Sequence, residues 1–422
     1  MYKNIRLKDI VSITGASIFS GEVNGPVKGI SIDTRTLREG EVFLAVKGKN
    51  FNGHDFLSEA AGRGCAAVIV DCESSGNPAG LGVPVLRVGD TLKAMADIAA
   101  RFRSMADIPV LAVTGTNGKT TVKDMAAACI SGEFKVLKSR DSYNNIIGLS
   151  LTLFELSREY EAAVVEMGTN HPGEIDGLGA IASPTCAAIT NIGDGHLEFF
   201  GDRKGVLREK RRIFDHIRPG GRKFVNGDDE LLFEYASSEK GVETFGFREG
   251  CDHVISLIDI TDDLSAFCVD GIEYTVNAGG RHNVLNASAA VLMALDCGVP
   301  REKIKEGLRC ALLPDMRLQK IEAGNIVFIN DAYNANPSSF VAAADYLSDM
   351  SVKTTKCLIA GDMLELGPGA EAFHHTAGAA AAARKIDLLI TMGRYAGAFA
   401  HGARGNGMPT EKVLLAADHR QA

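Results

Sequence analysis

The stretch Val110-Leu-Ala-Val-Thr-Gly115-Thr-Asn-Gly118-Lys119-Thr120-Thr121 decides how the rest of this chain is read. A short apolar run enters a glycine-bounded turn and passes directly into the helical pattern Val122-Lys-Asp-Met-Ala-Ala-Ala128. Glycine lets the backbone turn tightly and aim its N–H groups at an anion, and the following helix adds the positive end of its dipole. In such a loop Lys119 reaches the β- and γ-phosphates of a nucleotide, and the Thr120 hydroxyl ligates magnesium. Strict P-loop spacing asks for another glycine at position 113, where this chain has Val113, so the motif is the shorter Gly-x-x-Gly-Lys-Thr form. A glycine turn joining any strand to any helix is the bland alternative.

Working outward, other short apolar runs repeat the pattern of strand followed by helix. They are Ala162–Val165, Cys186–Thr190, Cys357–Ala360 and Leu388–Thr391, each near-continuously apolar. Such runs predict parallel strands covered on both faces, hence an α/β fold. The first hundred residues are richer in glycine, with strand-like Val42–Val46 and Ala66–Val70, and Asp252–Tyr274 alternates weakly, as hairpin strands do. Boundaries are placed near Asp107-Ile-Pro109 and Leu313-Pro-Asp315, which divides the chain into 1–107, 108–313 and 314–422. At roughly 150 residues per domain, 422 residues indeed suggest about three domains.

Composition excludes several classes. The chain is 45% apolar and 23% charged with 46 Gly and 12 Pro, which rules out disordered, collagenous and coiled-coil chains. A net charge of −8, no tryptophan and 6% aromatic residues argue against a protein that grips nucleic acid through phosphates and base stacking. Nine cysteines without a CxxC pair suit reduced thiols in the cytoplasm. There is no signal-peptide-like start and no apolar run long enough to span a bilayer, so a soluble cytoplasmic protein is expected.

Glu166 closes the run Ala162–Val165 at the carboxyl end of a predicted strand, where open α/β sheets bind ligands, and there it can hold magnesium or merely cap a turn. His196 closes a polar, glycine-rich loop after another strand, Thr190-Asn-Ile-Gly-Asp-Gly-His-Leu-Glu198, which favours a ligand role over a structural one. In Arg208-Glu-Lys-Arg-Arg-Ile-Phe214, spacing alone does not separate Lys210 from its neighbours, and Gly280-Arg-His-Asn-Val-Leu-Asn286 reads as a loop entering an alanine-rich helix. The crowding of polar residues in Ile329-Asn-Asp-Ala-Tyr-Asn-Ala-Asn-Pro-Ser-Ser339, directly after an apolar run, suits hydrogen bonding to a ligand.

These motifs together resemble the Mur ligase family, ATP-dependent amide ligases that build the peptidoglycan stem peptide, and the resemblance covers nearly the whole chain. It implies an N-terminal uridine-nucleotide-binding α/β domain, a central P-loop ATPase with a mostly parallel sheet, and a C-terminal Rossmann-like domain that supplies the amine site and closes over ATP. Gly115, Thr116, Asn117, Gly118, Lys119, Thr120 and Thr121 match the family ATP loop. Asn283 and Asn286 match its adenine-side asparagines, and Arg317 the arginine that approaches ATP from the third domain. Glu166 matches the magnesium-binding strand end, His196 the histidine near a second metal, and Lys210 the lysine that carbon dioxide converts to a carbamate. Thr120, Glu166, His196 and carbamylated Lys210 would thus form the metal set, with Lys119, Lys210, His196 and Glu166 catalytic.

Asp331, Tyr333, Asn334, Asn336, Pro337 and Ser338 resemble the segment of the D-alanyl-D-alanine-adding branch, Asp331 on the ATP side and the others at the second substrate; Gly361-Asp-Met-Leu-Glu-Leu-Gly367 is also typical of that branch. Asp33, Thr34, Arg35, Gly48, Asn52 and His54 resemble the UDP-binding residues, with Asn52 where an aspartate is usual, and Asn144 and Asn145 resemble the segment facing the muramoyl group. The implied reaction joins D-alanyl-D-alanine to UDP-N-acetylmuramoyl-tripeptide through an acyl phosphate, using ATP and Mg2+, in a cytoplasmic monomer serving cell-wall synthesis. The chain ends at Ala422 before the Lys-Gly-Ser-Arg-like turn that closes relatives, so a truncated third domain is expected. The competing readings are a Mur or folylpolyglutamate synthetase-like ligase with another acceptor, and a nucleotide-binding protein without ligase activity.

Overall fold

The computed structural model describes residues 5–48, 51–72, 78, 80–350, 355–384 and 386–421. Near the N-terminus, β1 (Ser17–Ser20), β2 (Gly29–Ser31), β3 (Glu41–Leu44), β4 (Ala67–Asp71) and β5 (Val85–Val88) form one sheet. Its order is β1-β5-β4-β3-β2, parallel except for the β1–β5 pair.

The central sheet follows with β6 (Val110–Thr114), β7 (Val136–Lys138), β8 (Ala162–Glu166), β9 (Cys186–Ile189), β10 (Arg222–Asn226), β11 (Val242–Gly246), β12 (His253–Ile260), β13 (Ser265–Val269) and β14 (Ile272–Val276). Its order is β14-β13-β12-β11-β10-β9-β6-β8-β7; the pairs from β7 to β12 are parallel, and β12, β13 and β14 form the expected antiparallel hairpins. The chain winds from β6 to one side through β7 and β8, then crosses to β9 on the other. That reversal of winding opens a crevice at the carboxyl ends of β6 and its neighbours.

Side chains alternate across a strand, so each central strand contributes to two cores. Ala112, Ala163, Val165, Ala187 and Ile189 face Leu149, Leu153, Ile175 and Leu178 on one side. Leu111, Val113, Val164 and Ala188 face Val122, Met125, Ala126 and Val284 on the other. This explains why the strands read as unbroken apolar runs. The third region pairs β15 (Gln319–Ala323) with β16 (Ile326–Asn330) in an antiparallel hairpin, and β17 (Cys357–Ala360), β18 (Leu388–Met392) and β19 (Val413–Ala416) form a parallel sheet beneath the helices Ala370–Ala383 and Ala396–Gly405. Its core, built on Phe340, Leu389 and Phe399, is its own. Among the described residues, no helix is long and apolar enough to cross a membrane.

The first sheet is not independent of the second. The helix Thr91–Ser104 places Met95, Ile98 and Phe102 in the same apolar cluster as Leu149 and Leu153, and the Phe102 and Phe154 rings meet edge-on at 5.6 Å. Arg103, 1% exposed, donates from Nε to the Ala182 carbonyl at 2.7 Å, from Nη1 to Ala106 at 2.7 Å and from Nη2 to Ser183 at 3.1 Å. Ala182 is the last residue of the helix Glu174–Ala182, whose terminal carbonyls lack intrahelical partners and favour a cation. Arg103→Ala would strand those carbonyls, and the free energy of unfolding in denaturant should fall by about 3 kcal/mol. A loss below about 0.5 kcal/mol, the scale of an ordinary surface change, would show that this strap contributes nothing.

Candidate active site

The loop after β6 is shaped by its neighbours. A Cβ on Gly115 would lie 1.9 Å from the Thr190 hydroxyl, and one on Gly118 (φ +82°) would lie 2.4 Å from Asn286 Oδ1. Both positions therefore require glycine. The loop after β9 holds this turn open: the Asn117 N–H donates to Asn191 Oδ1 at 2.9 Å, Asn191 Nδ2 and the Thr190 hydroxyl donate to the Asn117 carbonyl at 3.0 and 2.5 Å, and the Thr116 N–H donates to the Asn191 carbonyl at 3.0 Å. The amides of Thr116 and Asn117 are thus engaged by protein, and the helix Lys119–Ser131 begins immediately after Gly118.

Lys119 Nζ donates to the Thr116 carbonyl at 3.0 Å, curled over its own loop. Burial lowers its pKa and Arg317 adds to that, while Glu166 opposes it. Thr120 donates to Glu166 Oε2 at 2.8 Å, and Asn144 Nδ2 donates to Oε1 at 2.8 Å. Glu166 is fully buried with these two neutral donors. Lys210, 2% exposed at the end of the helix Arg203–Lys210, makes no hydrogen bond or ion pair among the described residues. Burial, reinforced by Lys119, drives its pKa well below the usual lysine range against the pull of Glu209 and Glu166. Glu209 accepts from the Gly173 and Ile175 N–H groups, both at 2.8 Å, and so pins this helix end to the start of the helix Glu174–Ala182.

His196 sits at φ +56° with Nδ1 2.5 Å from Glu365 Oε2, a contact between the central and third regions. Burial lowers the His196 pKa, Glu365 opposes this, and Lys210 and Lys119 reinforce it. Further contacts cross the same gap. Asn336 Nδ2 donates to Asn117 Oδ1 at 2.8 Å, and Asn117 Nδ2 donates to the Ser338 hydroxyl at 3.0 Å. Arg317, between two residues with positive φ (Met316 and Leu318), stacks over the Tyr333 ring at 4.4 Å. Asp331 accepts from the Leu318 N–H, and burial pushes its pKa up to about 6 despite Arg317. Lys119, Glu166, His196, Lys210, Arg317 and Asp331 therefore converge at the carboxyl ends of β6, β8 and β9.

A likeness to known proteins spans the same three regions. The chain is 36% identical over 380 residues to the UDP-N-acetylmuramoyl-tripeptide–D-alanyl-D-alanine ligase of Bacillus subtilis, covering 89% of this chain and 82% of that protein. The chain belongs to the Mur ligase family. The model of the Mur ligase family catalytic domain matches residues 26–103, that of the Mur ligase middle domain 113–294, and that of the Mur ligase glutamate ligase domain 316–422. The like-named Escherichia coli enzyme is 34% identical over 89% of this chain and 84% of its own length. A crystal structure of MurF from Acinetobacter baumannii superimposes with a TM-score of 0.88 at 32% identity, over 97% of this chain and 88% of that one. MurF ligase from Thermotoga maritima in complex with ADP gives 0.80 at 26% identity, over 93% and 88%.

Some expected ligand residues of this Mur ligase have structural duties. Asn145 caps the helix Ile146–Phe154 by accepting from the Gly148 N–H at 2.9 Å. Asn336 caps the helix Pro337–Asp349, with Pro337 at its first position, and Asn334 accepts from the adjacent Ala335 N–H. Asn283 donates to the Gly279 carbonyl at 2.8 Å and lines a cavity of about 540 Å³, opposite Leu318, Lys320 and Tyr346 of the third region. Beside the first sheet, Arg35 folds onto Asp33 (Nη2–Oδ2 2.6 Å), Thr34 is buried, and the Gly48 N–H donates to Phe51. His54 Nδ1 meets Asn52 Oδ1 at 2.8 Å and its Nε2 accepts from the Asp71 N–H. None of these six residues hydrogen-bonds to the ATP-loop residues among the described contacts. Thr190, Asn191 and Glu365 went unassigned by sequence reasoning; the first two directly follow an apolar strand, where functional loops begin.

Among the described residues, no three His, Cys, Asp or Glu side chains stand close enough to cage a metal ion. The donor set of the Thr120 hydroxyl, the Glu166 carboxylate and the His196 imidazole instead suits magnesium carried by nucleotide phosphates, which keeps waters and takes few protein ligands.

Two outcomes follow from this geometry. Gly118→Ala must displace Asn286 at an unfavourable φ, so ADP affinity measured by calorimetry should fall at least tenfold, about 1.4 kcal/mol; unchanged affinity would mean that the loop does not meet the nucleotide. Asp331 binds its proton more tightly folded than unfolded, so its stability penalty is fully present above pH 6 and disappears as the pH falls from about 6 to about 4. Wild type should therefore gain stability relative to Asp331→Asn across that window in denaturant melts.

Proposed function

We propose that this Mur ligase joins D-alanyl-D-alanine to the terminal carboxylate of UDP-N-acetylmuramoyl-tripeptide with cleavage of ATP to ADP and phosphate. The observation that carries the reading is the meeting of the ATP loop, Glu166, His196 and Lys210 with the branch-typical segment Asp331–Ser338, through Asn117, Asn336 and Ser338. Residues 1–107 would bind the uridine nucleotide through Asp33, Thr34, Arg35, Gly48, Asn52 and His54. Residues 108–313 would bind ATP, with Asn283 and Asn286 beside adenine. Residues 314–422 would bind the amine near Tyr333, Asn334, Asn336, Pro337 and Ser338. The protein would work in the cytoplasm as a monomer.

A carboxylate is a poor electrophile, since an incoming amine meets negative charge and an oxide leaving group. Attack of a substrate carboxylate oxygen on the γ-phosphorus of ATP forms the carboxyl–phosphate bond and breaks the bond to the β–γ bridging oxygen, so ADP leaves. The amine of D-alanyl-D-alanine then adds to the acyl carbon, and collapse of the adduct expels phosphate, which leaves as hydrogen phosphate with the proton the amine gives up. Phosphoryl transfer needs chiefly positioning and charge neutralisation. Lys119 would leave its own loop carbonyl for the phosphate oxygens, and Arg317 would approach them from the opposite domain.

Thr120, Glu166 and His196 would hold magnesium, which would supply neutralisation of the charge that develops on the transferred phosphoryl group. Asn144 would orient Glu166 for that role through the bond to Oε1. Lys210 has the low basicity that carbamate formation demands, because only the free amine adds to carbon dioxide. As a carbamate it would face Lys119 as an anion and end the repulsion between the two cations. Docking of the third region through Asn117 would keep water from the acyl phosphate.

ADP release should require both the UDP-tripeptide and D-alanyl-D-alanine, and Lys119→Ala should slow it by about 10²–10³. Slow hydrolysis indifferent to either substrate would replace this reading with that of a nucleotide-controlled binding protein.

A further inference from the structure

Glu365 is not a group that phosphoryl transfer requires, yet it is built firmly into the gap. Its carboxylate lies 2.5 Å from His196 Nδ1, and its carbonyl accepts from the Glu198 N–H at 3.1 Å. The loop that carries it is anchored from behind. Buried His374 accepts the Met363 N–H on Nε2 at 2.9 Å and donates from Nδ1 to the Ala370 carbonyl at 2.6 Å. Asp362 accepts the Arg394 and Tyr395 N–H groups at 2.8 and 2.9 Å. Glu365 is thus carried to His196 on a loop that the third domain anchors.

A neutral imidazole carries one proton, and a carboxylate at Nδ1 draws the proton there and leaves Nε2 with a free lone pair. We propose that Glu365 is a positioning residue that sets the tautomer of His196, so that His196 presents a bare Nε2 to the nucleotide-borne metal only when the third domain is docked. This rests on the reading of His196 as a metal-facing residue. A carboxylate behind a ligating imidazole is a recurrent way of fixing ring orientation and raising ligand basicity. What is particular here is its origin, since the supporting carboxylate belongs to a different domain from the ring. By linkage, a metal ion on His196 must favour docking as much as docking favours the metal.

The test uses the full chain labelled with 15N-histidine, free of metal and nucleotide, with the His196 signals assigned through His196→Gln. Long-range proton–nitrogen spectra of the wild type should show His196 protonated at Nδ1 and bare at Nε2. Glu365→Ala should populate the Nε2-protonated form, and Glu365→Gln, whose amide oxygen still accepts, should restore the wild-type pattern. In ADP-release assays, Glu365→Ala should raise the magnesium concentration for half-maximal rate by about 10–100-fold, the usual cost of losing such a support, and Glu365→Gln by less. Identical His196 spectra in wild type and Glu365→Ala would overturn the proposal, as would an Nε2-protonated wild type. If Glu365→Ala does not fold, the wild-type spectrum still decides, since an Nε2-protonated His196 there overturns the proposal by itself. A normal magnesium requirement in His196→Gln would defeat the underlying metal reading instead, with the tautomer result standing apart.

Discussion

The structure turns on the contact between two loops, the one after β6 and the one after β9. Four hydrogen bonds from Thr190 and Asn191 hold Thr116 and Asn117, and no side chain fits at Gly115 or Gly118 because Thr190 and Asn286 already occupy that space. A phosphate loop alone is a flexible turn whose ordering would have to be met by the ligand. Here neighbouring side chains have already ordered it, and the same two loops present Lys119, Thr120 and His196. Glu166 joins them from β8 through the Thr120 hydroxyl. The site is therefore a property of three adjacent strand ends, which explains why strand order matters more to it than sequence distance.

Much of this could be read from the chain beforehand. The central strands are buried on both faces and so announce themselves as apolar runs, and Lys119, Thr120 and Glu166 sit where such runs end. The third region was harder. Ile326–Ile329 is an apolar run that forms an exposed antiparallel hairpin rather than a sheet member, because its partner is the adjacent β15. Asparagines were ambiguous for a chemical reason: one amide can cap a helix or bind a ligand. Asn145 caps, Asn144 one residue earlier holds Glu166, and Asn336 does both kinds of work, capping its own helix while reaching Asn117. Glu365 lies 169 residues from His196, and no periodicity links such partners.

Charge explains how an acidic protein accommodates a polyphosphate. The chain carries a net −8, yet Lys119, Lys210 and Arg317 gather near the buried carboxylates Glu166 and Glu209, with Asp331 held toward its neutral form. Burial lowers the pKa of both lysines, and the neighbouring cations add to it, Arg317 for Lys119 and Lys119 for Lys210. An anion placed among these cations would ease their mutual repulsion, which under the proposed reading would direct nucleotide binding energy to this site.

The shared apolar core beneath Phe102 and Phe154, closed by Arg103, has a different kind of consequence. It packs the first sheet and the central sheet about one continuous apolar cluster. If the uridine end of the substrate is held by that first sheet, as proposed, the span from there to the γ-phosphate is a fixed gauge. Each residue of an extended peptide adds about 3.3–3.6 Å. A stem one residue too short or too long would hold its carboxylate a full residue away from the phosphorus, so the order in which a stem peptide grows is enforced by length before any side chain is read.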